Sequence, residues 1–257
     1  MEHTIKFYPV DNADCTLIKL SNGKTVIIDC QFFSNLNDKD GKQVFYDVKA
    51  DLLKELSKDS DGHPFVDLFI NTHPHEDHCL GFGEHYYSGK VANYDDEKDK
   101  DKIIIGELWV TPIVMSNEEC EDAKDIRKEA KRRRKLYKDD DSFKGSYGNY
   151  LRIIGYDKDK EFDKRYSYIP GTTVSTANGS SLKWLDMFIH APFKEDIEGS
   201  KATKNKNDAS IVIQYAFKIE GEDKPKCKLL IGGDAEHDIW QHILGNNQDD
   251  SNLQWNI

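Results

Sequence analysis

Three histidines and two acids fall within six positions of "NTHPHEDHCLGF" (residues 71–82): His73, His75, Glu76, Asp77 and His78. The whole chain holds only nine histidines, so three in one short stretch call for a chemical reason. On an extended loop alternate residues point the same way. That directs His73, His75 and Asp77 into one cavity and His78 toward its other half. Neutral imidazole and carboxylate oxygen suit zinc, manganese or iron. Four such donors in six residues fit two ions, and a binuclear centre clamps a water and lowers its pKa for hydrolysis. Pro74 limits the backbone between the first two histidines, and Gly81 lets the chain turn tightly after the cluster. The competing reading is a polar loop whose histidines cap a helix. Convergent His and Asp side chains have little structural use otherwise, which favours metal.

The loop must be held by the elements around it. "FVDLFINTH" is an apolar run of buried-strand length that ends on the cluster, so the loop is placed at a strand's C-terminal end. Upstream, "IKFYPV", "CTLIKL" and "TVIIDC" alternate as strands, and Asn22-Gly23 marks a hairpin. Residues 43–58 show helical spacing, with Val44, Val48, Leu52, Leu53 and Leu56 on one stripe. Downstream, "SLKWLDMFIHAPF", "DASIVIQYAFKIEG" and "CKLLIGGD" read as three strands, the last two a hairpin across "EGEDKPK". "AEHDIWQHILG" follows as an amphipathic helix, with Ile239, Trp240, Ile243 and Leu244 facing inward and Gly245 as its C-cap.

Residues 83–181 are more charged and divergent, with "ANYDDEKDKDK", a helical block "EECEDAKDIRKEAKRRRKLYKDDD", the stretch "YDKDKEFDKRY" and apolar islands such as "IIIGELWVTPIV". They read as strand and helix material with polar surface insertions inside a single domain spanning 1–257. The run Lys131-Arg132-Arg133-Arg134-Lys135 offers a phosphate-contacting patch, but acids flank it and a solvated helix face is preferred.

A chain of 257 residues can bury a substantial core. There is no apolar run of about 18 residues to span a membrane, and the N-terminus lacks a signal-peptide pattern. Cys15, Cys30, Cys79, Cys120 and Cys227 are odd in number, contain no CxxC pair and read as reduced thiols of a cytoplasmic protein. A net charge of −11 argues against broad duplex binding. A nucleic-acid end or a small phosphodiester reaching a cationic site remains compatible with it.

"THPHEDHCLG" resembles the HxHxDH signature of the metallo-β-lactamase fold superfamily. "VDNADCTLIKLSNGKTVIIDC" resembles that fold's first hairpin, and "KLLIGGDAE" its later Gly-Asp motif. With "NDASIVIQY" ahead of the Gly-Asp motif, the set is closest to the branch typified by the extracellular-type domain of the competence protein ComEC. The resemblance covers residues 4 to about 244, weakly through 83–181. It implies an α/β fold, an αββα sandwich carrying a charged insertion. We expect two mixed sheets between helices, with the cluster at one sheet edge.

By position, the resemblance implies that His73 and His75 bind one metal, that Asp77 and His78 bind the second, and that Asp234 bridges them. From sequence alone Asp234 also serves as an N-cap for the helix that follows. Asp29 is expected to orient the loop from behind the ligands, and Asp14 to be a turn residue, with contact to substrate as its alternative. His190 is the candidate third histidine for the first metal; a structural role before Ala-Pro is the alternative. The resemblance also implies a late histidine for the second metal, a His-His pair in the ComEC-like branch. No histidine follows His242, and "LQWNI" reads as a strand cut short. The chain is therefore expected to be C-terminally truncated, or to take the final ligand from elsewhere.

The function expected is a metal-dependent hydrolase holding two divalent ions, zinc first and manganese or iron as alternatives. Asp77 and Asp234 are its candidate catalytic carboxylates, and a bridging hydroxide attacks a phosphodiester, as in a phosphodiesterase or nuclease. The alternatives are hydrolysis of a lactone, thioester or lactam on the same fold, and a truncated, weakly active or non-catalytic binding or regulatory member. No residue identifies the substrate-binding groups or a protein partner.

Overall fold

The computed structural model describes residues 2–116, 120–139, 146–155, 163, 165–222, 224–247 and 253–256. Alternation with a Gly turn carries the first strands into a meander: β1 (Thr4–Phe7), β2 (Thr16–Lys19) and β3 (Thr25–Ile28), all antiparallel. Gly23 makes the second turn at φ +83°, a conformation that costs glycine little. α1 (Val48–Glu55) then crosses to β4 (Pro64–Ile70), which lies parallel to β3. This helix is shorter than its expected span of 43–58. Asp47 caps it by accepting from the Ala50 N–H at 2.8 Å, and Leu56 is already extended. Val44 therefore falls outside the helix and is exposed, and Leu53 is only half-buried.

β5 (Ile103–Val110) adds parallel to β4 and is buried along its whole length. α2 (Glu121–Asp139) crosses to β6 (Tyr150–Ile154), and β7 (Ser167–Tyr168) ends the sheet. The short pieces Ser57–Lys58 and Tyr86–Tyr87 pair with β4 and β5, making nine strands among the described residues. The charged region 83–181 thus supplies inner strands of this mixed sheet as well as surface. Glu118, Glu119, Asp140 and Asp141 of the expected helical block, and 156–162 with 164 of "YDKDKEFDKRY", lie outside the described residues.

The second sheet is wholly antiparallel, in the order β8 (Thr173–Val174), β9 (Leu185–Ala191), β10 (Val212–Phe217), β11 (Cys227–Ile231). It differs from the mixed sheet expected: a hairpin joins β10 to β11, and α3 (Lys194–Thr203) lies in the connection that brings β10 back antiparallel to β9. The inner strands divide their apolar side chains between two cores. Val26, Ile28, Leu68 and Ile70 pack against Met187, Ile189, Ile213 and Tyr215 of the second sheet. Ile27, Val66, Phe69 and Leu108 face the opposite way, onto Leu52 of α1 and Ile126 of α2. On the far side of the second sheet, Val212 and Leu230 meet Ile239 and Ile243 of α4 (His237–Asn247). The fold is mixed α/β. No helix among the described residues is long and apolar enough to cross a membrane.

α4 starts two residues later than expected, because Ala235 and Glu236 form the turn that leads into it. Gly245 therefore lies inside the helix rather than at its cap, and Leu244 is exposed. The basic run on α2 is not a uniformly solvated face either. Arg133 is fully buried, donating to Glu129 Oε1 at 2.7 Å, to the Tyr150 carbonyl at 2.8 Å and to the Ile105 carbonyl at 2.9 Å. Arg132 grips the same carboxylate. A buried guanidinium needs such partners, and here they clasp α2 onto β5 and β6.

Candidate metal centre

Strand pairing runs up to the cluster's first histidine. Asp29 N–H donates to the Ile70 carbonyl at 2.8 Å, and Asn71 N–H to the Trp109 carbonyl at 3.0 Å. Beyond the loop, Cys79–Leu80 pairs in parallel with Cys30–Gln31. The loop is therefore pinned at both ends to the chain that continues β3. Since β4 lies between β3 and β5, the cluster stands at the end of a central strand and not at a sheet edge. A run buried on both faces belongs in the middle of a parallel sheet.

The loop is extended only as far as His75. Glu76–His78 then forms one turn of 3-10 helix, closed by the His78 N–H donating to the His75 carbonyl at 3.1 Å. This turn replaces the simple alternation expected. It swings His78 back against His73, with ring centroids 4.1 Å apart, and leaves Asp77 half-buried beside His78.

Three donor residues, His75, Asp77 and Asp234, converge around His73 and His78. His73 Nε2 and His75 Nδ1 stand 3.0 Å apart. Two imidazole nitrogens on a tetrahedral zinc stand about 3.3 Å apart, from Zn–N bonds of about 2.0–2.1 Å. Asp234 straddles the other pair: its Oδ1 lies 3.2 Å from His78 Nε2 and its Oδ2 3.6 Å from His73 Nε2. Asp77 Oδ2 is 4.0 Å from His78 Nε2. His73, His78 and Asp234 form one group with donor atoms mutually within 4.8 Å.

Asp29 stands behind His78, where its Oδ2 accepts from Nδ1 at 2.9 Å. The carboxylate is fully buried and also accepts from Asn71 Nδ2 at 3.2 Å, Thr72 N–H at 2.7 Å and Thr72 Oγ1 at 2.5 Å. Asp29 has φ +54°, a left-handed conformation that interrupts the strand after Ile28. Orienting a ligand histidine from its other nitrogen is a recurrent arrangement in metal sites.

The electrostatics follow from this packing. Desolvation opposes a charged His78, but the Asp29 charge and the hydrogen bonds that His78 donates to Asp234 and Asp29 outweigh it and push its pKa to about 11. Burial, reinforced by the His78 and His75 charges, holds His73 well below the usual histidine range. Hydrogen bonding to His78 keeps the Asp234 carboxyl below its ordinary value, against desolvation. A proton on His78 thus lies between two carboxylates where a cation would be stabilised, and metal uptake displaces such protons. The donor types, their spacing and this negative cradle fit divalent ions.

Asp14 joins Asp29 and His78 in a second group of donors. Its N–H reaches the Asp77 carbonyl at 3.4 Å, and its carboxyl is pushed up by desolvation and then by the Asp29 charge. His190, like His75 and Asp77, falls in none of the donor groups found among the described residues. It is buried on β9 with its ring edge-on to Phe188, centroids 4.8 Å apart. Glu76 points to solvent, His237 is exposed, and His242 pairs with Asp196 at 2.9 Å. A third donor group, Asp59, Asp61 and His63, lies on the turn before β4, at the opposite end of that strand from the cluster.

Three supporting residues escaped the sequence reading: Asn71, Thr72 and Gly233. The signal for the first two was present, since "NT" ends an apolar strand with two polar residues just ahead of the histidines. Gly233 is legible only in three dimensions, because its role is a close approach to Thr72. Comparisons of the chain with protein-family models, with curated proteins and with solved structures each found no match.

Proposed function

We propose that this protein is a metal-dependent hydrolase of the metallo-β-lactamase fold, an αββα sandwich with a binuclear zinc centre, acting on phosphodiesters. The observation that carries the reading is Asp234, whose two carboxylate oxygens face two different histidines at 3.2 and 3.6 Å. His73 and His75 would hold the first ion, Asp77 and His78 the second, with Asp234 shared. When bound, the ions supply Lewis acidity and an acidified water.

The chain's own residues prepare that chemistry. Asp29 fixes His78 so that Nε2 is presented to Asp234, and Thr72 and Asn71 fix Asp29 in turn. Burial of His73 keeps its ring neutral and therefore able to donate a lone pair. The resemblance of "THPHEDHCLG" and "NDASIVIQY" to the ComEC-like branch supports a phosphodiester over a lactone, thioester or lactam. The net charge of −11 favours a strand end or a small phosphodiester over long duplex.

A non-catalytic binding role is the second reading. It is favoured by the tight donor group at the cluster holding only His73, His78 and Asp234, with His75, Asp77 and His190 outside it. Elemental analysis and turnover of bis-nitrophenyl phosphate against a nitrophenyl ester separate the readings. Bound zinc with phosphodiester turnover, lost on chelation and restored by zinc, is expected. Bound metal with no turnover of either substrate favours the binding role, and wild-type turnover in metal-free protein ends the metallohydrolase reading.

A further inference from the structure

Directly after the last histidine of the cluster comes Cys79, buried, with its Sγ 3.4 Å from Cys120 Sγ; both are free thiols. The single S–H of Cys79 has two acceptors within reach, the His75 carbonyl at 3.0 Å and Cys120 Sγ. Cys120 lies just before α2 and is partly exposed. The start of α2 is already clamped to the chain behind the cluster, since Asp122 accepts from the Gly81 and Gly83 N–H groups at 3.0 and 2.9 Å. Neither sulfur is needed in the donor set described above.

We propose that Cys79 and Cys120 are a peroxide-oxidised thiol pair whose disulfide ties the metal-ligand loop to α2. An S–S bond is about 2.05 Å long, so closure moves the two sulfurs together by roughly 1.4 Å. Cys120, the more exposed of the two, meets hydrogen peroxide first. Its sulfur attacks one peroxide oxygen, the O–O bond breaks, and the products are a Cys120 sulfenic acid and one water. Cys79 sulfur then attacks the sulfenic sulfur, forming the S–S bond and expelling a second water. Two thiols lose two electrons and two protons, and one peroxide gains them. Hydrogen bonding from the Cys79 thiol, opposed by burial and assisted by the Ala123 N–H, brings the Cys120 pKa down to about 7, which favours the attacking thiolate. Oxidation also removes the S–H that Cys79 offers to the His75 carbonyl, so the bond reaches the backbone of a candidate ligand.

The test is differential alkylation and peptide mapping of the full chain, as purified with its metal, before and after equimolar hydrogen peroxide. The expected product is a Cys79–Cys120 linked peptide lighter by two hydrogens, reversed by dithiothreitol. Cys15, Cys30 and Cys227 stay alkylatable in the denatured product. Cys120→Ser should give no linked peptide and leave Cys79 alkylatable. Cys120 in the sulfinic or sulfonic state beside an alkylatable Cys79, or a link from either sulfur to another cysteine, would overturn the proposal. The wild-type map decides alone if the variant does not fold. It reads sulfur chemistry only, so its outcome is separate from that of the hydrolase reading.

Discussion

Gly233 lies so close to Thr72 that a Cβ on the glycine would stand 2.7 Å from the threonine Oγ1 and 2.9 Å from its Cβ. Thr72 also accepts the Ile211 N–H at its carbonyl, at 3.0 Å, and donates its hydroxyl to Asp29. One threonine therefore connects the end of β4, the approach to β10, the turn after β11 and the carboxylate behind His78. The position of Asp234 relative to the histidines depends on that connection.

Gly233→Ala tests it. The residue has φ +50°, where an alanine is strained by about 1 kcal/mol, and the added methyl must push Thr72 or the Asp234 turn aside. We expect zinc affinity to fall roughly 10-fold or more, in line with other disturbances of groups that orient ligands, with the thermal transition still cooperative. Zinc titration followed by calorimetry measures both. Unchanged affinity would show that Asp234 does not depend on this contact.

Asp29→Asn keeps the volume but turns an acceptor toward His78 into an amide, and removes the charge that holds the ring protonated in metal-free protein. The His78 pKa should fall from about 11, and zinc affinity should drop about 10–100-fold. Imidazole titration by NMR in the metal-free protein and a competitive chelator assay are the two measurements. A His78 that titrates as in the wild type would refute the role given to Asp29.

Asp234→Asn keeps the side-chain volume and removes the charge that the proposed centre would share between two cations. Turnover should fall about three orders of magnitude or more, while metal-free stability changes little because the side chain is about 38% exposed. A variant with wild-type turnover would reduce Asp234 to a residue of the turn before α4.

On the first strand of the same sheet, Lys6 Nζ bridges Asp51 at 2.9 Å and Glu55 at 2.6 Å, which joins β1 to α1. The Lys6 and Lys19 hydrogen bonds hold Glu55 below its ordinary 4.5. At Asp51 desolvation pushes upward, but the Lys6 and Tyr8 hydrogen bonds prevail and hold it below 3.8. Carboxyls depressed in the folded state stabilise it above their unfolded pKa values, and that stability is lost as pH falls through the folded ones. Lys6→Met should therefore cost about 1 kcal/mol at pH 7, solvent screening included. The difference from wild type should shrink below pH 4.5 and close once pH has fallen below the lowered values of both acids. Urea unfolding of both proteins across pH 2.5–7 measures it. A difference that does not vary with pH would mean Lys6 acts through its alkyl stem.

Local pattern was enough to place much of this protein. The alternation of residues 5–30 with Asn22-Gly23, the apolar run of β4, the β10–β11 hairpin and the histidine cluster could all be read directly, because each is set by the period of a strand or by ligand spacing. Helix ends were read less well. Periodicity marks a face, whereas the Asp47 cap and the turn at Ala235–Glu236 decide where α1 and α4 begin. Arg133 shows the same limit, since its charge suggested solvent and only the carbonyls of Ile105 and Tyr150, brought beneath α2 by the β5–β6 pairing, make its burial tolerable.

At the site, the types and spacing of His73, His75, Asp77 and His78 were determined by the sequence itself, because they follow one another along one loop. That Asp29 lies under His78, 49 positions away, and that Asp234 reaches both histidines, was decided only by the tertiary structure. Those contacts depend on β3 pairing with β4 and on a glycine small enough to let the β11 turn approach Thr72. A linear pattern records which face of a segment is buried, but not which distant backbone lies against that face, since that is fixed by register and close packing between sheets.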